Sequence, residues 1–265
     1  MTFLVSLEIL SIVLYGGLFW HSWRTLSASK PLGRLIPKLL LLAILLHGAV
    51  AYLKIDGGNG QDFGLFNILV MTTWIAMVIV YWNLIKHESH ALLLISLPIA
   101  ALSILEVALL SKSMPIQLRQ NGIDIWHILL GIGSMSILML AAMQSILVLY
   151  IDRGLRHHPA SIHSWLGPLQ SMERFLIQLL SSGFVLMTLS LGLAFFYPLE
   201  STSNQSLHKI ILTLLSWLVL GGLLLGHAKR GWRGVFAAKW TLIGVFLLLL
   251  GYFGSKLVLE FILNR

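Results

Sequence analysis

The stretch LLLLAILLHGAVAYL, residues 39–53, decides the fold class, because its one histidine, His47, stands among fourteen apolar, small or aromatic residues. A helix crosses the hydrocarbon core of a bilayer with about 20 residues of this kind. The rest of the chain is similar: of 265 residues, 57% are hydrophobic and 11% charged, and the mean hydropathy is +0.88. Soluble domains carry roughly 25% charged residues. The sequence therefore predicts an integral membrane protein.

Eight apolar runs follow one another along the chain, and polar connections such as DGGNGQD (56–62) and KHESH (86–90) separate them. Lipid offers the backbone no hydrogen-bond partner, so each run is predicted to be a helix. We predict an all-α, polytopic transmembrane helical bundle that forms a single integral membrane domain over residues 1–265. The predicted spans are about 3–23, 35–53, 63–85, 91–110, 125–151, 175–197, 209–228 and 240–262.

The positive charges predict the orientation of these spans. Short cytoplasmic loops are enriched in Lys and Arg, and the connections after spans 1, 3, 5 and 7 hold twelve of the eighteen such residues. Both termini are therefore predicted on the non-cytoplasmic side. The same distribution explains the net charge of +8 by membrane topology and argues against a nucleic-acid surface.

Several kinds of chemistry are excluded or disfavoured by what the chain lacks. It has no cysteine, so disulfides, thiolate metal sites and covalent haem attachment through Cys-x-x-Cys-His are excluded. It has no phosphate-binding loop, dinucleotide fingerprint or nucleophile–base motif. The sequence does not predict a conventional enzyme.

Three histidines stand apart from those in the polar loops: His47 lies inside span 2, His127 opens span 5 and His227 closes span 7. Ionisable residues inside a membrane are costly and are functional candidates by default. Two interpretations remain open. The histidines form interhelical hydrogen bonds and interface caps, or they are ligands of a porphyrin iron. Glycines next to them either permit close helix packing or leave room for a flat ligand.

Acidic residues within the predicted spans are few. Glu8 and Glu106 are single acids, and Lys256 is a candidate partner for either of them or for Glu260. The sequence favours a paired structural role for these residues over a proton relay.

Four stretches of the chain, in their order, carry a resemblance to a known family. They are LLHGAVAY (45–52), DIWHILLGIGSMSILMLAAMQSILVLYIDRGL (124–155), LGPLQSMERFLIQLLSSGFVLMTLSLGLAFFY (166–197) and SWLVLGGLLLGHAKRGWRGVFAAKWTLIGVFLLLLGYFGSKL (216–257). Together they resemble the cytochrome c assembly membrane-protein family of the CcsA/HemX type, and most closely its small YpjD-like inner-membrane branch.

The resemblance implies a haem-handling protein of the bacterial inner membrane. In that family intramembrane histidines hold one haem, and outward histidines present another to apocytochrome c. By position, His47 and His227 match the membrane histidines and His127 matches the first outward one. The resemblance thus implies b-type haem as cofactor, with His47 as one axial ligand of the iron and His127 or His227 as the second. The implied partners are the lipid bilayer, haem and other membrane proteins of cytochrome assembly.

The chain departs from the family pattern in two places. The connection PLESTSNQSLHK (198–209) lacks the tryptophan-rich haem-presenting loop, and the last span, with GYFGSKLVLEF (251–261), lacks the second outward histidine. Haem presentation to an apocytochrome is therefore not expected. The departures support an alternative function: a non-catalytic membrane scaffold or regulator that kept the fold without the cofactor.

Overall fold

A computed structural model describes residues 2–28, 30–56, 61–87, 90–110, 122–157, 168–197 and 207–254. Within these ranges the chain forms eight helices, each long and apolar enough to cross a membrane, and no β-strand. The predicted all-α, eight-span fold is confirmed. The helices are α1 Thr2–Ser27, α2 Leu35–Ile55, α3 Leu65–His87, α4 Ala91–Leu110, α5 Gly122–His157, α6 Leu169–Phe196, α7 Leu207–Arg230 and α8 Gly234–Leu249, which a π-helical turn, Leu250–Gly254, prolongs.

The helix ends differ most from the predicted spans at α5, α6 and α8, and α8 begins at Gly234, six residues before the predicted span. Helix α5 has 36 residues, about 54 Å at 1.5 Å per residue, and it continues through the charged residues Asp152 and Arg153 beyond the apolar run. Helix α6 begins at Leu169, six residues before the predicted span. Hydropathy locates the part of a helix inside lipid, whereas Gln, Met, Glu and Arg beside it are also good helix formers and extend the helix into the interface.

The helices group into two compact units. Unit 1 comprises residues 1–117 and 154–168, and unit 2 comprises residues 118–153 and 169–265. The single domain over residues 1–265 stays a prediction. Two parts of the sequence predictions lie outside the described ranges. Residues 198–206 make up most of the connection that lacks tryptophan. Residues 255–262 end the last predicted span and include Lys256 and Glu260.

In unit 1 the four helices α1–α4 pack in a ring: α1 contacts α2 and α4, and α3 contacts α2 and α4. Two polar pairs fix the antiparallel register of α1 and α2, Glu8 with Lys54 and Tyr15 with His47, since the residue numbers of each pair have the same sum. The interior between the four helices is therefore lined by polar as well as apolar side chains.

In unit 2 three polar contacts set the antiparallel register of α5 and α6. His127 contacts Ser190, Ser134 Oγ donates to the Gly183 carbonyl, and Gln144 Nε2 donates to the Met172 carbonyl. The apolar core of this unit is a cluster drawn from α5, α6, α7 and α8: Leu138, Leu180, Met187, Leu220, Leu223, Ala237 and Val245. The first of these contacts holds His127 against α6.

Candidate functional site

His47 is completely buried near the middle of α2, and both of its ring nitrogens are hydrogen-bonded. Nε2 lies 3.0 Å from the Val70 carbonyl of α3. A carbonyl only accepts, so Nε2 carries the proton and donates it. Nδ1 is then the acceptor for the hydroxyl of Tyr15, 3.1 Å away on α1. The imidazole has no lone pair left for a metal in this arrangement.

The hydrogen bonds around His47 continue to the fourth helix of unit 1. Thr73 Oγ1 lies 3.0 Å from both the Val70 and the Leu69 carbonyls, which share its single proton, and 2.7 Å from Ser103 Oγ on α4. We call Tyr15, His47, Thr73 and Ser103 the four-helix network, because each of the four helices contributes one of these side chains. All four are buried, with at most 2% of their surface exposed.

An ion pair between a buried acid and a partly exposed lysine joins α1 and α2 two helical turns from Tyr15 and His47. Lys54 Nζ lies 3.0 Å from Glu8 Oε1 and donates a hydrogen bond to the Val107 carbonyl of α4 at 3.3 Å. From the sequence, a paired structural role is predicted for Glu8, with Lys256 as a candidate partner. Lys54 is the cation that the structure places beside Glu8.

His127 is half-buried in the first turns of α5, and its contacts fix the opposite tautomer. Nδ1 lies 3.0 Å from the Ser190 carbonyl and 3.1 Å from Ser190 Oγ, while that hydroxyl donates to the backbone carbonyl of His127 at 3.2 Å. Both partners of Nδ1 are therefore acceptors, and Nδ1 carries the proton. Within the described ranges no group is hydrogen-bonded to Nε2, which keeps its lone pair.

His227 has the same arrangement at the end of α7. Its Nδ1 donates to the Trp232 carbonyl at 2.7 Å. Gly231 ends the helix in the left-handed region, with φ of 68°, and its N–H bonds back to the His227 carbonyl. This is the αL helix cap that favours glycine. In the part of the chain that the structure describes, Nε2 of His227 is also without a hydrogen-bond partner.

His127 and His227 lie at opposite ends of unit 2. His127 is bonded to Ser190, near the last turns of α6. Gly234, just after the turn that holds His227, packs against Glu173, in the first turns of α6. Seventeen residues of helix separate Glu173 from Ser190, about 25 Å, whereas two ligands of one iron lie about 4 Å apart. These two histidines do not share an iron.

Aromatic side chains occupy the space beside several of the glycines near the candidate histidines. A Cβ on Gly48 would lie 2.7 Å from Trp74 Nε1, and one on Gly221 would lie 2.9 Å from Phe184. The Trp232 ring packs directly on Gly226. Close packing, rather than space for a flat ligand, explains these glycines, while Gly222 has open space beside it.

The ligand chemistry of unit 2 fits a haem better than a bare metal ion. Among the described residues no three His, Asp or Glu side chains are grouped to hold a metal. A porphyrin brings four of the iron's ligands itself and needs one or two imidazoles from the protein. Histidines that bind metals usually donate their other ring N–H to a carbonyl or carboxylate, and His127 and His227 both do so.

Comparison with known proteins places the chain in a family. The sequence model of the cytochrome c assembly proteins matches residues 32–263, most of the chain. The chain belongs to the cytochrome c assembly protein family. The family predicted from the four sequence stretches is thereby confirmed, and the protein is a multi-pass membrane protein.

Proteins similar to this chain include the inner membrane protein YpjD of Escherichia coli strain K12. It is 28% identical over 228 residues, which cover 84% of this chain and 85% of YpjD. An uncharacterized 28.8 kDa protein in the nifR3-like 5′ region of Azospirillum brasilense is 32% identical over 164 residues, 59% of this chain and 60% of that protein. No solved structure matches the chain. The predicted location in the bacterial inner membrane agrees with the name of YpjD.

The partners of the three histidines were not predicted from the sequence, although the polar residues of α1 have a regular spacing that marks one helix face. Glu8, Ser11, Tyr15 and Ser22 recur at spacings of three, four and seven residues, which places them on one face of a helix, and all four are buried. Ser190 gave no comparable signal, because a serine in a membrane helix commonly bonds to its own backbone.

Proposed function

We propose that this protein binds or passes b-type haem in the bacterial inner membrane, with Nε2 of His127 and Nε2 of His227 as iron ligands at two separate positions. The family is associated with haem through its role in cytochrome c assembly. The observation that carries the proposal is the shared tautomer. In both histidines Nδ1–H donates to a backbone carbonyl, which leaves the lone pair of Nε2 on the side of the ring away from that carbonyl.

The surroundings of the two histidines also suit an amphipathic macrocycle. Both side chains are half-buried rather than sealed in the core. His127 lies beside the exposed Trp126, 62% accessible, and within electrostatic reach of one cation, Lys209, and one anion, Asp124. A cation near an iron-binding histidine suits the propionates of a haem. Each position would offer a haem a single protein imidazole, which would suit a cargo that is bound and released.

The test is the visible spectrum of the protein purified with haem supplied, together with the ratio of haem to protein. We expect a Soret band in the wild type, and we expect His127→Ala and His227→Ala each to lower the bound haem by about half, because each removes one site. His21→Ala is the matched control, since His21 is an exposed histidine in α1. A wild-type protein without a Soret band would contradict the proposal.

The second candidate is a membrane scaffold or regulator that kept the fold without the cofactor. The observation that favours it is the hydrogen bonding of His47, whose two ring nitrogens are both bonded to protein groups. The family resemblance assigns a haem ligand to this position. A stable, monodisperse protein that takes up no haem under conditions in which a control haem protein does would favour the scaffold.

A further inference from the structure

We infer that His47 is a positioning residue that joins the four helices of unit 1 through hydrogen bonds, and that iron binding is confined to unit 2. The part concerning iron rests on the proposed function. The part concerning unit 1 rests on the four-helix network alone. The inference assigns to His47 a role different from the ligand role that the family resemblance implies.

Both ring nitrogens of His47 are already hydrogen-bonded to the protein. Nε2–H donates to the Val70 carbonyl, and Nδ1 accepts from Tyr15. An iron at Nδ1 would displace the Tyr15 hydroxyl and leave it without its partner in a fully buried place. An iron at Nε2 would require the loss of its proton and of the bond to Val70. His127 and His227 need neither change.

The buried polar side chains of the four-helix network also point to a structural role. A buried polar group in lipid is unfavourable unless it is bonded. Tyr15, His47, Thr73 and Ser103 each bond to a group on a neighbouring helix. The network runs from α1 through α2 and α3 to α4, and its members specify which faces of the four helices meet.

The hydrogen bonds of the four-helix network do not form a path for proton transfer. The link between His47 and Thr73 is the carbonyl of Val70, which accepts a hydrogen bond from each of them. A backbone carbonyl does not exchange a proton, so the chain of hydrogen bonds is interrupted there. What remains is the structural connection between helices.

Glutamine at position 47 separates the two roles of the histidine. The Gln amide carries an acceptor oxygen and a donor NH2 group on one carbon, Cδ. In the imidazole, Cε1 likewise carries both Nδ1 and Nε2. Glutamine can therefore keep both hydrogen bonds. It does not replace an imidazole as an axial ligand of haem. We expect His47→Gln to keep the wild-type Soret band and a melting temperature near that of wild type. We expect His47→Leu to lower the melting temperature by about 5 °C or more, the effect of losing buried hydrogen bonds.

Tyr15→Phe provides a milder variant if His47→Leu does not fold. It removes the hydroxyl but keeps the aromatic ring, whose centroid lies 5.6 Å from that of the imidazole. We expect a lower melting temperature and an unchanged Soret band. If His47 bound iron through Nδ1, removal of the competing hydroxyl would instead increase haem binding.

Three outcomes would overturn the inference: loss of the Soret band in His47→Gln with an unchanged melting temperature, increased haem binding in Tyr15→Phe, or a His47→Leu variant as stable as wild type. Absence of a Soret band in the wild type would contradict the proposed function instead. In that case the melting temperatures would still decide the role of His47.

Discussion

At the scale of single residues, the two tautomers of histidine divide the three candidates. His47 is protonated at Nε2 and surrounded by partners, whereas His127 and His227 are protonated at Nδ1. The sequence could select these residues, because a histidine in an apolar run is unusual. It could not assign the tautomers of His47 and His127, because those depend on carbonyls that are 23 residues from His47 and 63 residues from His127 in the chain.

Ser190→Ala tests how His127 is held. The Ser190 carbonyl remains as an acceptor for Nδ1–H, but the hydroxyl that contacts both Nδ1 and the His127 carbonyl is lost. We expect haem binding about tenfold weaker, the lower end of the effect of losing a partner of a metal-binding histidine. The measurement is a haem titration in the His227→Ala background, where His127 is the remaining proposed ligand.

The control for this substitution is Ser182→Ala, which removes an exposed hydroxyl that bonds to the Gln178 carbonyl of its own helix. It leaves His127 untouched and is expected to bind haem as the His227→Ala background does. Equal affinities for the Ser182 and Ser190 variants would show that Ser190 does not orient His127.

At the scale of the elements, the turn after α7 links helix packing to the candidate ligand. Trp232 packs on Gly226 with its ring and accepts the hydrogen bond of His227 with its carbonyl. Gly231 and Gly234, on either side of Trp232 and Arg233, both have positive φ. The return of the tryptophan onto its own helix depends on side-chain packing, which local sequence does not determine.

Gly226→Ala tests this link. The added methyl group would collide with the Trp232 ring, so the ring and the attached carbonyl must move. We expect a loss of about 1–3 kcal/mol of stability, as for other overpacked sites, and weaker haem binding in a His127→Ala background. Thermal melting and haem titration measure the two effects.

Gly222→Ala is the matched control, one helical turn earlier on α7, where a Cβ has open space. Because alanine is the better helix former by about 1 kcal/mol, this variant is expected to be as stable as the wild type or more so. A Gly226→Ala variant that behaves like Gly222→Ala would contradict the described contact of Trp232.

At the scale of the whole molecule, the number and order of the helices followed from composition and from the spacing of the apolar runs. Eight spans were predicted, and eight helices of sufficient length are present in the described ranges. The grouping into two units was not predicted. It depends on which polar faces meet, such as those carrying Tyr15 and His47, and periodic apolar runs do not specify their neighbours.

The predicted orientation can be tested with single cysteines, since the chain contains none. Leu207→Cys lies at the start of α7 on the predicted outer side, and Lys229→Cys lies at its end on the predicted cytoplasmic side. Both positions are exposed. An impermeant maleimide applied to cells with a permeabilised outer membrane but an intact inner membrane should label the first variant and not the second. The reverse pattern would contradict the orientation.

The most direct test of the central claim is the visible spectrum of the haem-supplied double variant His127→Ala/His227→Ala, in which His47 is intact, beside that of the wild type. We expect a Soret band in the wild type and none in the double variant, because the two Nε2 atoms of unit 2 are the proposed iron ligands. A double variant that retains the wild-type Soret band would contradict it.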